Sequence, residues 1–430
     1  MTRRSRTAQL AAVSALAALA LASCAQSTKK AEETNSAGNA PTSSNSTSAP
    51  PSSTAKALTI GTLLPATGDL AFLGPPEFAG VDTAVKDINA AGGVLGKPLK
   101  QISADSGDGT PPIAPASVDK LLSGGATAII GAASSSVSMS VIDKITSAGV
   151  VQFSPANTST EFDTYNDHGL YFRTAPSDVL QGAVMANLVV KDGAQNVAIL
   201  ARQDSYGQAL ADQLAKGVKA AGVNVATETL YSADATNYTA EVDKVAATKP
   251  DAIVLIAFNE TTKIIPQLAA RKVGPQDVQT YFVDGNTADY SADFPPGTLT
   301  GVKATYPGAE LTANFKARLL KTDPTLKDFT YGPESYDATI MTALAATAAG
   351  DTSGKAIASK LIDISAGGTR CTEYAQCVAL LKQGKDIDYD GVSGPVDLNS
   401  TGSPSKATIG IFEYSKDNTN HNIDYVTGVI

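Results

Sequence analysis

Three consecutive hydroxyls, Ser134-Ser135-Ser136, stand at the expected start of a helix. Hydroxyls and the unpaired N–H groups of a first helical turn can hold a carboxylate without a charged side chain. The same hydroxyls can simply cap the helix, and spacing alone leaves both readings open. The groups that would turn binding into catalysis are scarce. The only histidines are His168, among Tyr165, Asp167 and Gly169, and His421, in an Asn/Asp-rich tail. Either could act as a base, but both read as solvated loop residues. A secreted hydrolase would carry a Gly-x-Ser-x-Gly elbow; the nearest approach, Gly391-Val392-Ser393-Gly394, lacks the spacing. No Walker loop, no Gly-x-Gly-x-x-Gly after the first strand and no His/Cys/Asp metal cluster occurs, so neither cofactor nor metal is expected.

The elements that must position such residues alternate in type. Short apolar or β-branched runs at 57–64, 99–104, 126–130 and 150–154 read as strands, separated by helical periods at 76–91, 114–122 and 138–148. After Pro176 the rhythm restarts. Helices are expected at 178–191, 206–221, 238–247 and 260–271, with strands at 196–200, 223–230, 252–257 and 279–283. Two parallel α/β sheets follow, and in open α/β sheets ligands sit outside the carboxyl ends of the strands. The third stretch is less regular: helices at 311–321, 335–348 and 354–364, a helical turn at 377–382, and a strand at 407–414.

The chain has 430 residues, which at roughly 150 residues per domain implies two or three domains. Hydrophobic residues make up 43% and charged residues 17%, enough for sizeable cores and too little charge for a disordered chain. Arg3, Arg4 and Arg6 precede an apolar run at 8–21, an export signal too short to span a bilayer comfortably. Without those three arginines, 30 basic residues face 42 acidic ones, a formal charge of −12. An acidic chain with no Trp has no footprint for nucleic acid. Residues 25–57 are rich in Ser, Thr, Asn, Pro and Ala, a composition that cannot offset its ordering entropy and reads as a tether.

The leader ends in Leu21-Ala22-Ser23-Cys24, which resembles the lipobox of bacterial lipoproteins. That resemblance implies lipidation at Cys24 and a protein anchored at the outer face of the cytoplasmic membrane. Cys371 and Cys377 are then a lone pair in an exported chain, for which a local disulfide is expected.

The body resembles type 1 periplasmic binding proteins, in particular their Leu/Ile/Val-binding branch. The resemblance is carried by Ile60-Gly61-Thr62-Leu63-Leu64-Pro65-Ala66-Thr67-Gly68, by Asp87-Ile88-Asn89-Ala90-Ala91-Gly92-Gly93-Val94-Leu95-Gly96-Lys97-Pro98, and by Asp105 with Asp108. It continues through the loop Gly131-Ala132-Ala133-Ser134-Ser135-Ser136, through Phe153-Ser154-Pro155-Ala156-Asn157-Thr158, and through Tyr171-Phe172-Arg173-Thr174-Ala175-Pro176-Ser177-Asp178. Glu334-Ser335-Tyr336-Asp337-Ala338 and Tyr389-Asp390-Gly391-Val392-Ser393-Gly394-Pro395 complete it. It implies an α/β fold of two Rossmann-like lobes joined by a three-strand hinge. Residues 1–23 would be the signal, 24–56 the tether, 57–175 with 303–393 lobe one, and 176–302 with 394–430 lobe two.

By the same resemblance, Ser135 and Thr158, with Ser134 and Ser136 beside the first, would hold a ligand carboxylate, and the Ala156 carbonyl would accept from its ammonium. Tyr206 would close over the ligand, Phe258 and Glu260 would add aromatic and polar contacts, and Asp284 would pair with the ammonium. Phe72 could line the side-chain pocket. The implied protein is a monomer without catalytic activity that delivers a small amino acid or a related amide or carboxylate to an ABC permease. A ligand-sensing lipoprotein that signals to a membrane receptor is the alternative output of the same fold.

Overall fold

The computed structural model describes residues 56–110 and 112–430. The expected signal, Cys24 and nearly all of the tether lie outside the described residues. Strand β1 (Thr59–Leu64) is followed by helix α1 (Gly74–Ala90), β2 (Lys100–Asp105), α2 (Ala114–Ser123), β3 (Ala128–Gly131), α3 (Ser135–Ser147), β4 (Val151–Ser154) and β5 (Tyr171–Arg173). These strands form one parallel sheet in the order β2-β1-β3-β4-β5. The period of two is plain in β3, where Ala128 and Ile130 enter one core layer and Ile129 the other.

The second series runs α4 (Asp178–Lys191), β6 (Asn196–Arg202), α5 (Ser205–Ala220), β7 (Asn224–Tyr231), α6 (Thr239–Ala247), β8 (Ala252–Ile256), α7 (Thr261–Ala270), β9 (Gln279–Phe282) and β10 (Lys303–Pro307). It is continued by α8 (Ala313–Thr322), α9 (Gly332–Ala349), α10 (Gly354–Leu361), β11 (Thr369–Cys371), α11 (Tyr374–Lys382), β12 (Ile387–Tyr389), β13 (Lys406–Tyr414) and β14 (Asn420–Val429). The second sheet has seven strands in the order β14-β13-β10-β9-β8-β6-β7, with β13 and β14 antiparallel. Helix α9 is buried through 15 consecutive residues, Gly332 to Ala346, and packs on α1 in the first lobe, so its residues are mostly apolar or small on all sides, with the carboxylates of Glu334 and Asp337 buried among them.

Two expected boundaries shift. Residue 303 was placed at the return to lobe one, but β10 pairs with β9 and β13 inside the second sheet, so the return follows Pro307. Residue 394 was placed at the final crossing, yet Val396 and Leu398 still lie in the first lobe's core, and that crossing falls between Leu398 and β13. Three strands of three to five residues, β10, β11 and β12, lie where no element was expected, and β14 extends the sheet edge. Cys371 and Cys377 stand with Cα atoms 5.4 Å apart, within disulfide reach. Among the described residues no helix is long and apolar enough to cross a membrane.

Candidate functional site

The loops that leave β3 and β4 form one wall. Gly131 ends β3 with φ +127°, and a Cβ there would stand 1.9 Å from the Leu63 carbonyl oxygen, so only glycine lets the chain turn off this strand. Ser134 is the N-cap of α3, its Oγ accepting from the Val137 N–H at 3.5 Å and lying 2.9 Å from Ser136 Oγ. Ser135 Oγ accepts from the Ser159 N–H at 3.3 Å. Asn157 ties the two loops together by donating to the Ala132 and Ala133 carbonyls at 3.0 and 2.8 Å. Behind them lies Arg173, fully buried, which donates to the Ser159 carbonyl, to Asp163 and to Ser403 on the last crossing segment.

The facing wall comes from the second lobe. Asp204 caps α5 through the Gly207 N–H, which places Tyr206 at the helix mouth. The Tyr206 ring stacks on Phe258 with centroids 5.4 Å apart, and the Arg202 guanidinium covers that ring at 3.5 Å. Arg202 also pairs with Asp204 at 2.6 Å and Glu260 at 2.7 Å. Glu260 further accepts from the Tyr231 hydroxyl and from the Phe258 N–H. Asp284, in the turn after β9, accepts from Gln181 at 2.9 Å, from Tyr206 at 2.7 Å and, across the lobes, from Tyr331 at 2.8 Å.

Leu70, Leu73, Ala133, Ser134, Ser135, Ala156, Tyr206, Phe258, Asp284, Gly285 and Tyr331 enclose one space between these walls. It leaves about 10 Å³ for the centres of water-sized bodies, barely enough for one water. The walls have therefore closed on one another, and a solute enters only if they part.

Of the residues expected at the site, Ser134, Ser135, Ala156, Tyr206, Phe258 and Asp284 meet here. The others do not line this space. Ser136 faces a neighbouring hollow of about 280 Å³ with Asp108, Arg202 and Asp204. Glu260 sits behind Phe258, its carboxylate occupied by Arg202, Tyr231 and the Phe258 N–H, so it supports the aromatic wall. Phe72 packs half-buried against the core beside the space, because a 3-10 turn puts residues three apart on one face and here those are Leu70 and Leu73. Thr158 is buried with its hydroxyl beside Asp178. Tyr331 was not anticipated; it precedes α9 in a left-handed conformation, φ 57°, a position no periodicity marks.

Burial raises the pKa of Asp284, while the bonds from Tyr206, Gln181 and Tyr331 pull it back. Burial and the Asp284 charge hold both tyrosine hydroxyls well above their usual range, so they remain donors. Burial also raises Glu260, against the opposing Arg202 charge. Elsewhere, oxygens of Asp388, Asp390 and Asp397 come within 4.8 Å of one another, but all three residues are half-buried and Asp390 is held by Arg370. The arrangement between the lobes offers hydroxyl and N–H donors on one side, an acidic acceptor on the other and apolar rings and leucines around them. It can hold a small zwitterion.

Residues 57–417 match the family model described as periplasmic binding protein. The substrate-binding protein BasB of a chemotactic signal transduction system in Halobacterium salinarum is 28% identical over 81% of this chain and 84% of its own length. The Leu/Ile/Val/Thr-binding protein of Salmonella typhimurium is 33% identical over 37% of this chain, and the match spans 43% of that relative. Among solved structures, the branched-chain amino acid transporter substrate binding protein LivJ from Streptococcus pneumoniae, in complex with isoleucine, has a TM-score of 0.70 at 20% identity, covering 87% of this chain and all of LivJ. A solute binding protein from R. palustris in complex with benzoate has a TM-score of 0.69 at 17% identity, covering 87% and 98%. At these identities the structures establish the fold alone.

Proposed function

The chain belongs to the type 1 periplasmic binding protein family, and on that premise we propose that it is an exported solute-binding protein that clamps a small α-amino acid between its lobes. It binds without transforming the solute, as a monomer anchored through Cys24, with Cys371 and Cys377 oxidised, and hands the solute to an ABC permease. The observation that carries this reading is the meeting of Ser134, Ser135 and Ala156 with Asp284 and Tyr206 around one enclosed space. An α-carboxylate suits the serine side and an ammonium suits Asp284. Closure follows from the solute's greater affinity for the closed state.

A thermal-shift screen of the purified protein against amino acids and small carboxylates tests it. A solute at about 100 times its Kd adds roughly 2.7 kcal/mol of stability. Asp284→Ala is expected to weaken an amino acid far more than the same acid without its amine. Equal losses for the two would overturn the ammonium pairing.

The long match to BasB supports a second output, presentation of the loaded form to a chemotaxis receptor. A deletion strain that keeps uptake of the solute but loses its response to it would favour signalling over transport.

A further inference from the structure

Glu334 stands in the first turn of α9, in the first lobe, yet the second lobe covers it. Gly308, where the chain leaves β10, donates its N–H to the Thr408 carbonyl of β13 at 2.9 Å and so moves with the second sheet. A Cβ on Gly308 would stand 3.4 Å from Glu334 Oε1 and 2.9 Å from the Tyr306 hydroxyl, so the Gly308 backbone lies against the Glu334 carboxyl with Tyr306 of β10 beside it. The Tyr306 ring meets the Tyr331 ring edge-on at 5.7 Å, and Tyr331 is the residue that reaches Asp284 across the lobes. On the first crossing, the Thr174 hydroxyl donates to the Glu334 carbonyl at 3.0 Å. The Glu334 carboxyl is thus buried only while the lobes are together. Beneath it α1 packs on α9 so closely that a Cβ on Gly80 would fall 2.2 Å from the Gly332 carbonyl oxygen, and one turn before Gly80 stands Glu77, fully buried. Neither Glu77 carboxylate oxygen, nor Glu334 Oε2, nor the Ser335 hydroxyl makes a hydrogen bond. The titratable groups that face Glu334 are Glu77 from α1, Tyr306 from β10 and Asp337 from α9 itself, and none of them brings a positive charge. A carboxylate sealed in such a place takes a proton, whereas one open to water is an ordinary glutamate.

We propose that closure of the lobes puts a proton on Glu334, so that solute binding is coupled to proton uptake and the clamp holds its solute more tightly in acid than in neutral surroundings. This goes beyond the reading above and rests on its claim that a solute closes the lobes. On closing, the Glu334 carboxylate takes a proton from solvent as the second lobe strips its water; on opening, the carboxyl O–H returns that proton to water. The electrostatics agree. In the closed form burial raises Glu334 from 4.5 to about 8; its own backbone N–H opposes this and the Asp337 charge adds to it. The sign follows. Between the ordinary value and the raised one the closed state binds one more proton than the open state, so solute affinity falls as the pH rises through that window. Below the window both states are protonated and above it both are ionised, so the dependence ends at either side. Glu77 is held well above its ordinary range by burial and then by the Glu334 charge, and it stays protonated beneath.

Isothermal titration of the full chain with L-leucine and with benzoate tests this. Wild type and Glu334→Gln are compared from pH 5.5 to 7.5, and at pH 7 in phosphate and in Tris, whose different ionisation heats count the protons exchanged. The leucine Kd of wild type is expected to rise by up to about tenfold for each pH unit, the slope for one linked proton. The Glu334→Gln profile should be flatter by that slope, and the variant should take up about one proton fewer than wild type. Asp284 and Asp178, which burial also raises, titrate in both proteins and cancel in the comparison. Equal slopes and equal proton counts, or a variant weakened by the same factor at every pH, would overturn the Glu334 role and leave the solute-binding reading standing. If benzoate binds and leucine does not, the amino-acid reading falls, and the same comparison with benzoate decides the Glu334 role. Should the variant fail to fold, the wild-type count decides alone: uptake supports the proposal, and none overturns it. Wild type that binds neither solute overturns both.

Discussion

Removing Glu260 tests whether the aromatic wall of the cleft depends on a buried ion pair behind it. The Arg202 and Glu260 side chains are only 5% and 1% exposed, and losing one partner of such a pair typically costs about 3–5 kcal/mol. Asp204 remains on Arg202, which places Glu260→Ala near the lower end, about 3 kcal/mol. For a body of this size, with about 2.1 cal/mol/K of unfolding entropy per residue, that is a fall in Tm of about 4 °C. Phe258 loses the acceptor for its N–H as well, so solute affinity should fall along with stability. Urea unfolding followed by circular dichroism gives the first quantity and titration the second. The double change Arg202→Met with Glu260→Met should cost less than Glu260→Ala alone, because the charge it leaves without its cation, Asp204, is partly exposed and still accepts from the Gly207 N–H. A loss under about 1 kcal/mol for Glu260→Ala, or a double variant worse than the single, would refute the reasoning.

Glu334 is fully buried in lobe one near Glu77, and burial raises its pKa from 4.5 to about 8. The folded chain thus keeps a proton that the unfolded chain releases near pH 4.5, so the associated stability is full below that pH and is lost as pH rises toward 8. Urea midpoints should fall between pH 5 and 8, and Glu334→Gln should flatten the fall; a wild-type midpoint that rises over this window would contradict the account. Cys371 and Cys377 close a short loop, six residues apart, and Cys377→Ser should cost about 2 kcal/mol. Dithiothreitol should lower the wild-type midpoint by a similar amount and leave that of the variant unmoved; a wild type indifferent to reductant would show that the thiols are not bonded.

The βα rhythm was legible because buried parallel strands are continuous apolar runs, as Ala252–Ile256 is, and the helices between them carry a clear apolar face. Strands outside that pattern were not. β11 and β12 have three residues each, and β14 is a polar edge strand whose alternate residues are only half-buried. At the site, Ser135, Tyr206 and Asp284, which stand at strand ends and helix starts, were placed by the resemblance to the family. Tyr331 was not, because it reaches Asp284 from a left-handed turn some 50 residues further along the chain. Glu260 was misplaced because sequence order puts it beside Phe258, whereas Arg202, on another strand, draws its carboxylate behind that ring.

A crystal structure of the protein grown with the amino acid that stabilises it most addresses the clamp itself. The account predicts an intact zwitterion between the lobes, its carboxylate on Ser134 and Ser135 and its ammonium on Asp284. Density for the amino acid at any other place, or for a chemically altered product, would contradict it.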